Sequence, residues 1–160
     1  MPDSVPMTRE AFDREKARLD EMKNVERPRI AERVAAAREE GDLKENQEYK
    51  GQREQLAHLE RKIGVLADKL SRAEIVDPSS IKRDEIAFGA TVVVNDLDYG
   101  DEEEFTFVGA GDEDYDANRY LITSPIGKGL VGKKVGDQVE IEVPKGKLRF
   151  EVLDIRYEDF

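Results

Sequence analysis

Residues 49–73 read YKGQREQLAHLERKIGVLADKLSRA, and their spacing decides the fold. Tyr49, Gln52, Leu56, Leu59, Ile63, Leu66, Leu70 and Ala73 follow alternating steps of three and four, with charged residues between them. That is the seam of a coiled coil, in which one narrow apolar stripe faces a partner helix. Only Gln52 interrupts the stripe. Upstream, Phe12, Leu19, Met22, Ile30, Val34 and Ala37 repeat at similar spacing, and Thr8 is placed to cap the helix that carries them. The two runs predict an antiparallel hairpin of two helices, joined at Gly41-Asp42. Each arm of about 30 residues is roughly 45 Å long at ~1.5 Å per residue. Pro28 falls inside the first arm, where it removes one backbone hydrogen bond and crowds the carbonyl four residues before it. The apolar spacing resumes at Ile30, so the expectation is a kink or short break near Val25 to Arg27 and not the end of the arm.

After Ala73 the pattern changes. Asp77-Pro78-Ser79-Ser80 has the composition of a linker, and short β-type runs follow at Ala90 to Val94, Phe105 to Val108, Tyr120 to Thr123, Val139 to Val143 and Leu148 to Ile155. One short helix interrupts them, with Ser124 as cap, Pro125 in its first turn and Gly132 past its end. The predicted class is α+β: a helical hairpin over residues 1–76, a linker over 77–84, and a small, mainly antiparallel sheet domain over 85–160.

Composition narrows the function. The 160 residues contain no cysteine and one histidine, His58, which excludes a disulfide framework, a thiolate zinc site, His-rich metal sites and the usual catalytic triads. Net charge is −11 and unevenly shared. Residues 1–75 hold 16 Lys and Arg against 17 Asp and Glu, whereas residues 76–160 hold 10 against 20. The first half is densely charged but balanced, as a solvated helical pair tends to be. The second would repel nucleic acid over most of its surface. No apolar run approaches a membrane span, and the opening MPDSVPMT lacks a signal pattern, so the expected location is the cytoplasm.

Two motifs invite chemistry and do not support it. Gly127 to Gly132 matches G-x-G-x-x-G, but only 28 residues follow and the glycines lie within or end a short helix, so a dinucleotide fold is declined. Asp112, Asp114 and Asp116 imitate an EF-hand loop, yet Ala117 stands where the glycine is required and Thr123 where the bidentate Glu belongs.

The remaining feature is REEGDLKENQEY, residues 38–49, with Asp42 and Glu45 three apart at the turn between the arms. A purely structural reading exists: Asp42 caps the second helix and Glu45 reaches back, an acidic capping box favoured by the helix dipole. The position, at the far end of a slender projection, adds a second possibility, that two acids on one exposed turn act on whatever the projection enters.

AAREEGDLKENQEY with REQ at 53–55, FGATVVV at 88–94, SPIGKGLVGKKVGD at 124–137 and FEVLDI at 150–155 together resemble the GreA-type bacterial transcript cleavage factors, over almost the whole chain and in the same order. The resemblance implies that the sheet domain is FKBP-like and that the protein is a cytoplasmic, monomeric elongation factor. It implies that the hairpin enters the secondary channel of RNA polymerase and reaches the 3′ end of backtracked nascent RNA. Asp42 and Glu45 match the family's acidic pair, which helps hold a Mg²⁺ ion jointly with polymerase carboxylates. No cofactor is then expected on the isolated protein, which stimulates the polymerase's own RNA hydrolysis without being an enzyme itself. Arg38 and Arg53 match positions that touch the RNA, and Ser124 and Pro125 a contact at the channel rim. The chain departs from the family at Lys50-Gly51-Gln52, where relatives commonly carry His-Ala-Ala, and Gly51 costs the helix about 1 kcal/mol relative to Ala. The rival readings are a Gre-fold channel binder that inhibits polymerase, and a coiled-coil assembly or chaperone module.

Overall fold

In the computed structural model, residues 3–39 and 46–157 are described. Thr8 starts the first helix as the sequence predicts, its hydroxyl oxygen accepting the amide of Ala11 at 3.0 Å. Helix α1 (Arg9–Glu21) passes into a π-helical turn (Met22–Glu26) and continues as α2 (Arg27–Glu39). The long return helix is α3 (Gln47–Ser71). By packing, the chain divides into two compact units, Asp13–Arg72 and Met1–Phe12 with Ala73–Phe160.

Within the helical unit, Leu59, Ile63, Leu66 and Leu70 of α3 and Leu19, Met22 and Ala37 opposite are all buried, so the predicted seam is the core of the hairpin. The expected disturbance before Pro28 is a widened turn, not a break. The N–H of Arg27 donates to the carbonyl of Met22, five residues back. Spacing supplies a second cause besides the proline. Ile30, Val34 and Ala37 keep the coiled-coil rhythm, but Met22 to Ile30 is eight residues, one more than a heptad. A π turn takes up one extra residue and returns the stripe to the same side. Leu19 and Met22 thereby share the seam with residues one phase out of step. Arg27 reaches across to Glu60 at 3.6 Å, an exposed pair worth little to stability.

The second unit is built on a five-stranded sheet of β3 (Ala90–Asp96), β4 (Glu102–Val108), β5 (Arg119–Leu121), β6 (Gln138–Val143) and β7 (Gly146–Tyr157), in the spatial order β5-β4-β3-β7-β6. All pairs are antiparallel except β4 with β5, and the register of β3 on β7 slips by one residue at Val93/Val94. Alternate residues of β3 (Ala90, Val92, Val94) join Phe105, Phe107, Phe150 and Val152 in one core. The short helix α4 (Pro125–Leu130) closes it with Leu130, which is fully buried, and passes so near β6 that a side chain on Gly129 would meet Ile141 at 2.6 Å.

The structure departs from the sequence expectation at the junction of the two units. Ala73, read as the last seam residue, is not helical: α3 ends at Ser71 with Arg72 as cap, and Ala73 begins β2 (Ala73–Ile75). This strand pairs in parallel with β1 (Val5–Met7). Met7 is completely buried, its carbonyl accepts Val76 N–H at 2.8 Å, and Pro6 accepts Ala110 N–H at 3.1 Å. Those bonds draw residues 1–12 and 73–76, read from the sequence as part of the hairpin, to the sheet unit. The linker-like Asp77 to Ser80 is ordered by its own chemistry: the Asp77 carboxylate accepts both the amide and the hydroxyl of Ser79, which holds its pKa below the usual carboxylate value.

Candidate functional site

The tip of the hairpin is framed by one side chain that the sequence reading passes over. Asn46 takes an extended conformation before α3, and its Oδ1 accepts the amide of Tyr49 at 2.9 Å. Its Nδ2 donates to the carbonyl of Ala37 in α2. A single amide thus serves an orphan donor at the start of α3 and a carbonyl in the last described turn of α2. The cap that the structural reading gives to Asp42 is, for α3, supplied by Asn46, so the acidic pair is not needed to begin this helix. Asp42 and Glu45 themselves, with Lys44 and the Gly41 turn, lie outside the described residues.

Arg38 stands exposed in the last turn of α2, next to the residue whose carbonyl Asn46 engages. Arg53 is exposed on α3, and its guanidinium lies over the Tyr49 ring, 5.8 Å from the centroid. Lys50 is exposed between them. Tyr49 is half-buried, as a first seam residue should be, and offers its ring to Arg53 as well. Gln52 is the polar gap in the stripe. Its Nε2 reaches Glu48 at 3.5 Å, and its buried Oε1 has no hydrogen-bond partner among the described residues. Among the described residues, nothing lies within 4 Å of a side chain placed on Gly51.

In the other unit, Ser124 caps α4, its Oγ accepting Gly127 N–H at 3.2 Å, and Pro125 occupies the first turn. Both residues have a complete structural role there. The glycines of the apparent dinucleotide motif fall within and just after this six-residue helix, and a side chain on Gly127 would strike the Ile122 carbonyl at 2.4 Å. His58 is exposed on α3 beside a polar cleft of about 390 Å³ shared with Arg18, Glu21, Glu26 and Lys62. Among the described residues, no three His, Asp or Glu side chains converge as a metal site, and no helix is long and apolar enough to cross a membrane.

Two family profiles cover the chain in tandem. "Transcription elongation factor, N-terminal" matches residues 5–75 and "Transcription elongation factor, GreA/GreB, C-term" residues 81–157. The chain belongs to the GreA/GreB family of transcription elongation factors. Among its relatives, the transcription elongation factor GreA of Thermodesulfovibrio yellowstonii is 43% identical over 158 residues, covering 99% of this chain and 100% of the relative. That of Nautilia profundicola is 42% identical over 154 residues, covering 96% and 95%. The solved structure of GreA factor homolog 1 (Gfh1) of Thermus thermophilus is 26% identical, with a TM-score of 0.47 over 96% of this chain and 99% of that one.

Proposed function

We propose that this factor inserts its helical hairpin into the secondary channel of bacterial RNA polymerase and stimulates endonucleolytic cleavage of backtracked nascent RNA in the cytoplasm. The observation that carries the reading is the Asn46 cap: it leaves the acidic pair of residues 42 and 45 without a helix-capping duty, at the end of a hairpin flanked by Arg38 and Arg53. A pair of carboxylates not needed as the cap of α3 is a pair available for a ligand.

The donor chemistry fits Mg²⁺. Asp42 and Glu45 supply hard oxygens, too few for a complete cage but suited to an ion that binds through one or two carboxylates and keeps several waters. When bound jointly with polymerase carboxylates, the ion supplies a lowered pKa for water and stabilisation of phosphoryl charge. The chain's own residues do the rest. Asp42 and Glu45 contribute oxygens and orient the site, while Arg38 and Arg53 hold the RNA backbone by its phosphates, which fixes position without reading sequence. Ser124 and Pro125 contact the polymerase at the channel rim. The factor alone, a monomer binding Mg²⁺ weakly, hydrolyses no RNA.

The test is direct. Added to stalled, backtracked elongation complexes with Mg²⁺, the protein should release short 3′ RNA fragments and restore elongation. Inhibition without fragments would support the inhibitory channel binder instead, and absence of any effect together with helix-mediated self-association the assembly module.

A further inference from the structure

We propose that the free edge of β6 is a docking site for an extended, basic segment of a partner protein, which joins the sheet as a further strand with Lys or Arg beside Glu140 and Glu142. The site lies wholly in the sheet unit and does not depend on what the hairpin does.

The strand β6 stands last in the sheet order, so only its side toward β7 is paired. The register fixes which residues serve the other side. Val143 pairs with Gly146 across a two-residue turn, and the carbonyl of Arg149, opposite Glu140, accepts the amide of Leu97 at 2.9 Å on the side of β7 away from β6. Hydrogen-bonded and non-bonded pairs alternate along an antiparallel ladder, so Gln138, Glu140 and Glu142 turn their amides and carbonyls outward. All three residues are exposed, and none of these backbone groups has a hydrogen bond among the described residues. An extended row of unpaired donors and acceptors is what a peptide uses when it adds to a sheet. Val139 and Ile141, between the exposed residues, are buried, so alternate side chains of an added strand can continue that apolar row.

Charge selects the occupant. Glu142 makes no ion pair among the described residues, and Glu140 makes one, to Lys147 at 3.6 Å, between side chains that are both more than half exposed. Arg149, across from Glu140 on β7, is engaged by Asp98. Residues 76–160 as a whole hold 10 Lys and Arg against 20 Asp and Glu. A second copy pairing through the same strand would set its own Glu140 and Glu142 among these, and like charges on neighbouring strands oppose pairing. The same carboxylates that guard the edge against self-association favour a strand with cations at alternate positions.

The probe is a short, end-capped peptide of alternating Val and Lys, added to the full chain. Its binding should slow hydrogen exchange at the amides of Gln138, Glu140 and Glu142, and a peptide of alternating Val and Glu should not bind. Glu140→Pro deletes an outward N–H and no ladder bond, a placement that edge strands tolerate, and should weaken binding of the Val/Lys peptide by about tenfold. Glu140→Gln with Glu142→Gln keeps the edge but removes two cross-strand ion pairs. It should weaken binding by about 2- to 30-fold at low salt and abolish most of the salt dependence. Circular dichroism checks that each variant folds, and the glutamine pair carries the test should Glu140→Pro not. Absence of binding would overturn the inference. So would binding that leaves exchange at the three amides unchanged or ignores both substitutions, because that is adsorption of a cation to an acidic protein. Concentration-dependent protection of the same amides without peptide would assign the edge to a second copy and overturn it as well.

Discussion

The amide of Arg27 is bonded to the carbonyl of Met22, five residues earlier, and this wide turn is where the first arm absorbs its one surplus residue. Deleting the exposed Asn24 should convert the turn to regular α-helix with Leu19, Met22, Ile30 and Ala37 still in the seam, leaving the melting temperature unchanged or higher. Adding Pro28→Ala to the deletion should stabilise the hairpin further, by up to about 3 kcal/mol. An alanine inserted after Glu32 should do the opposite, turning Val34 and Ala37 about 100° away from α3 and costing several kcal/mol through reduced burial. Thermal melts of the three proteins distinguish these outcomes. Equal destabilisation by deletion and insertion would show that the π turn is not a phase correction.

The glycines separate by what surrounds them. Gly51→Ala should raise helix stability by about 1 kcal/mol, since the added methyl meets nothing within 4 Å among the described residues. Gly127→Ala should destabilise the sheet unit by about 1–3 kcal/mol, because the methyl would lie 2.4 Å from the Ile122 carbonyl at the start of α4. Urea titrations give both values.

Tyr157 donates its hydroxyl to the carbonyl of Glu85 at 2.5 Å, and burial raises its pKa above the ordinary value of 10.0. A folded-state pKa above the unfolded one means that the fold favours the protonated phenol. The contribution is complete below about pH 10 and is lost as pH rises through the folded value. Wild type should therefore lose melting temperature more steeply above pH 10 than Tyr157→Phe. At pH 7 the variant should be less stable by about 0.5–1.5 kcal/mol through removal of the hydrogen bond. Parallel melting profiles above pH 10 would contradict the assignment.

Arg53, whose guanidinium lies over the Tyr49 ring, and Arg38, in the last described turn of α2, are the residues proposed above to hold RNA phosphates. Arg38→Ala and Arg53→Ala should each weaken engagement of backtracked complexes and flatten its salt dependence, by a slope of about 0.7 for each phosphate no longer neutralised. Tyr49→Leu keeps the seam apolar while removing the aromatic support, at a cost of about 0.5–1 kcal/mol, so its effect on half-maximal factor concentration should be smaller than that of Arg53→Ala. Salt titrations of cleavage distinguish them.

The parts of the structure legible in the sequence are those whose signal is local. The seam from Leu59 to Leu70 is a repeat within one helix, and Ser124, Pro125 and Gly132 mark α4 by cap chemistry alone. The β1–β2 pairing is not legible, because three-residue strands carry no alternation and their partners lie about 70 positions apart. Pro28 flags a disturbance, but the eight-residue step from Met22 to Ile30 shows its meaning only once α3 fixes which side is the seam. At the tip, Asp42 satisfies every local rule for a helix cap. Asn46 satisfies the same rules and makes the local bond to Tyr49; only its second bond, to Ala37 in the other arm, lies beyond any local rule.

The central claim is that Asp42 and Glu45 serve a reaction inside polymerase. It is tested most directly by Asp42→Asn with Glu45→Gln in backtracked elongation complexes, following 3′ fragment release at saturating factor while monitoring polymerase binding in the same samples. Fragment release should vanish while binding persists within a few-fold; undiminished cleavage by the double variant would contradict the claim.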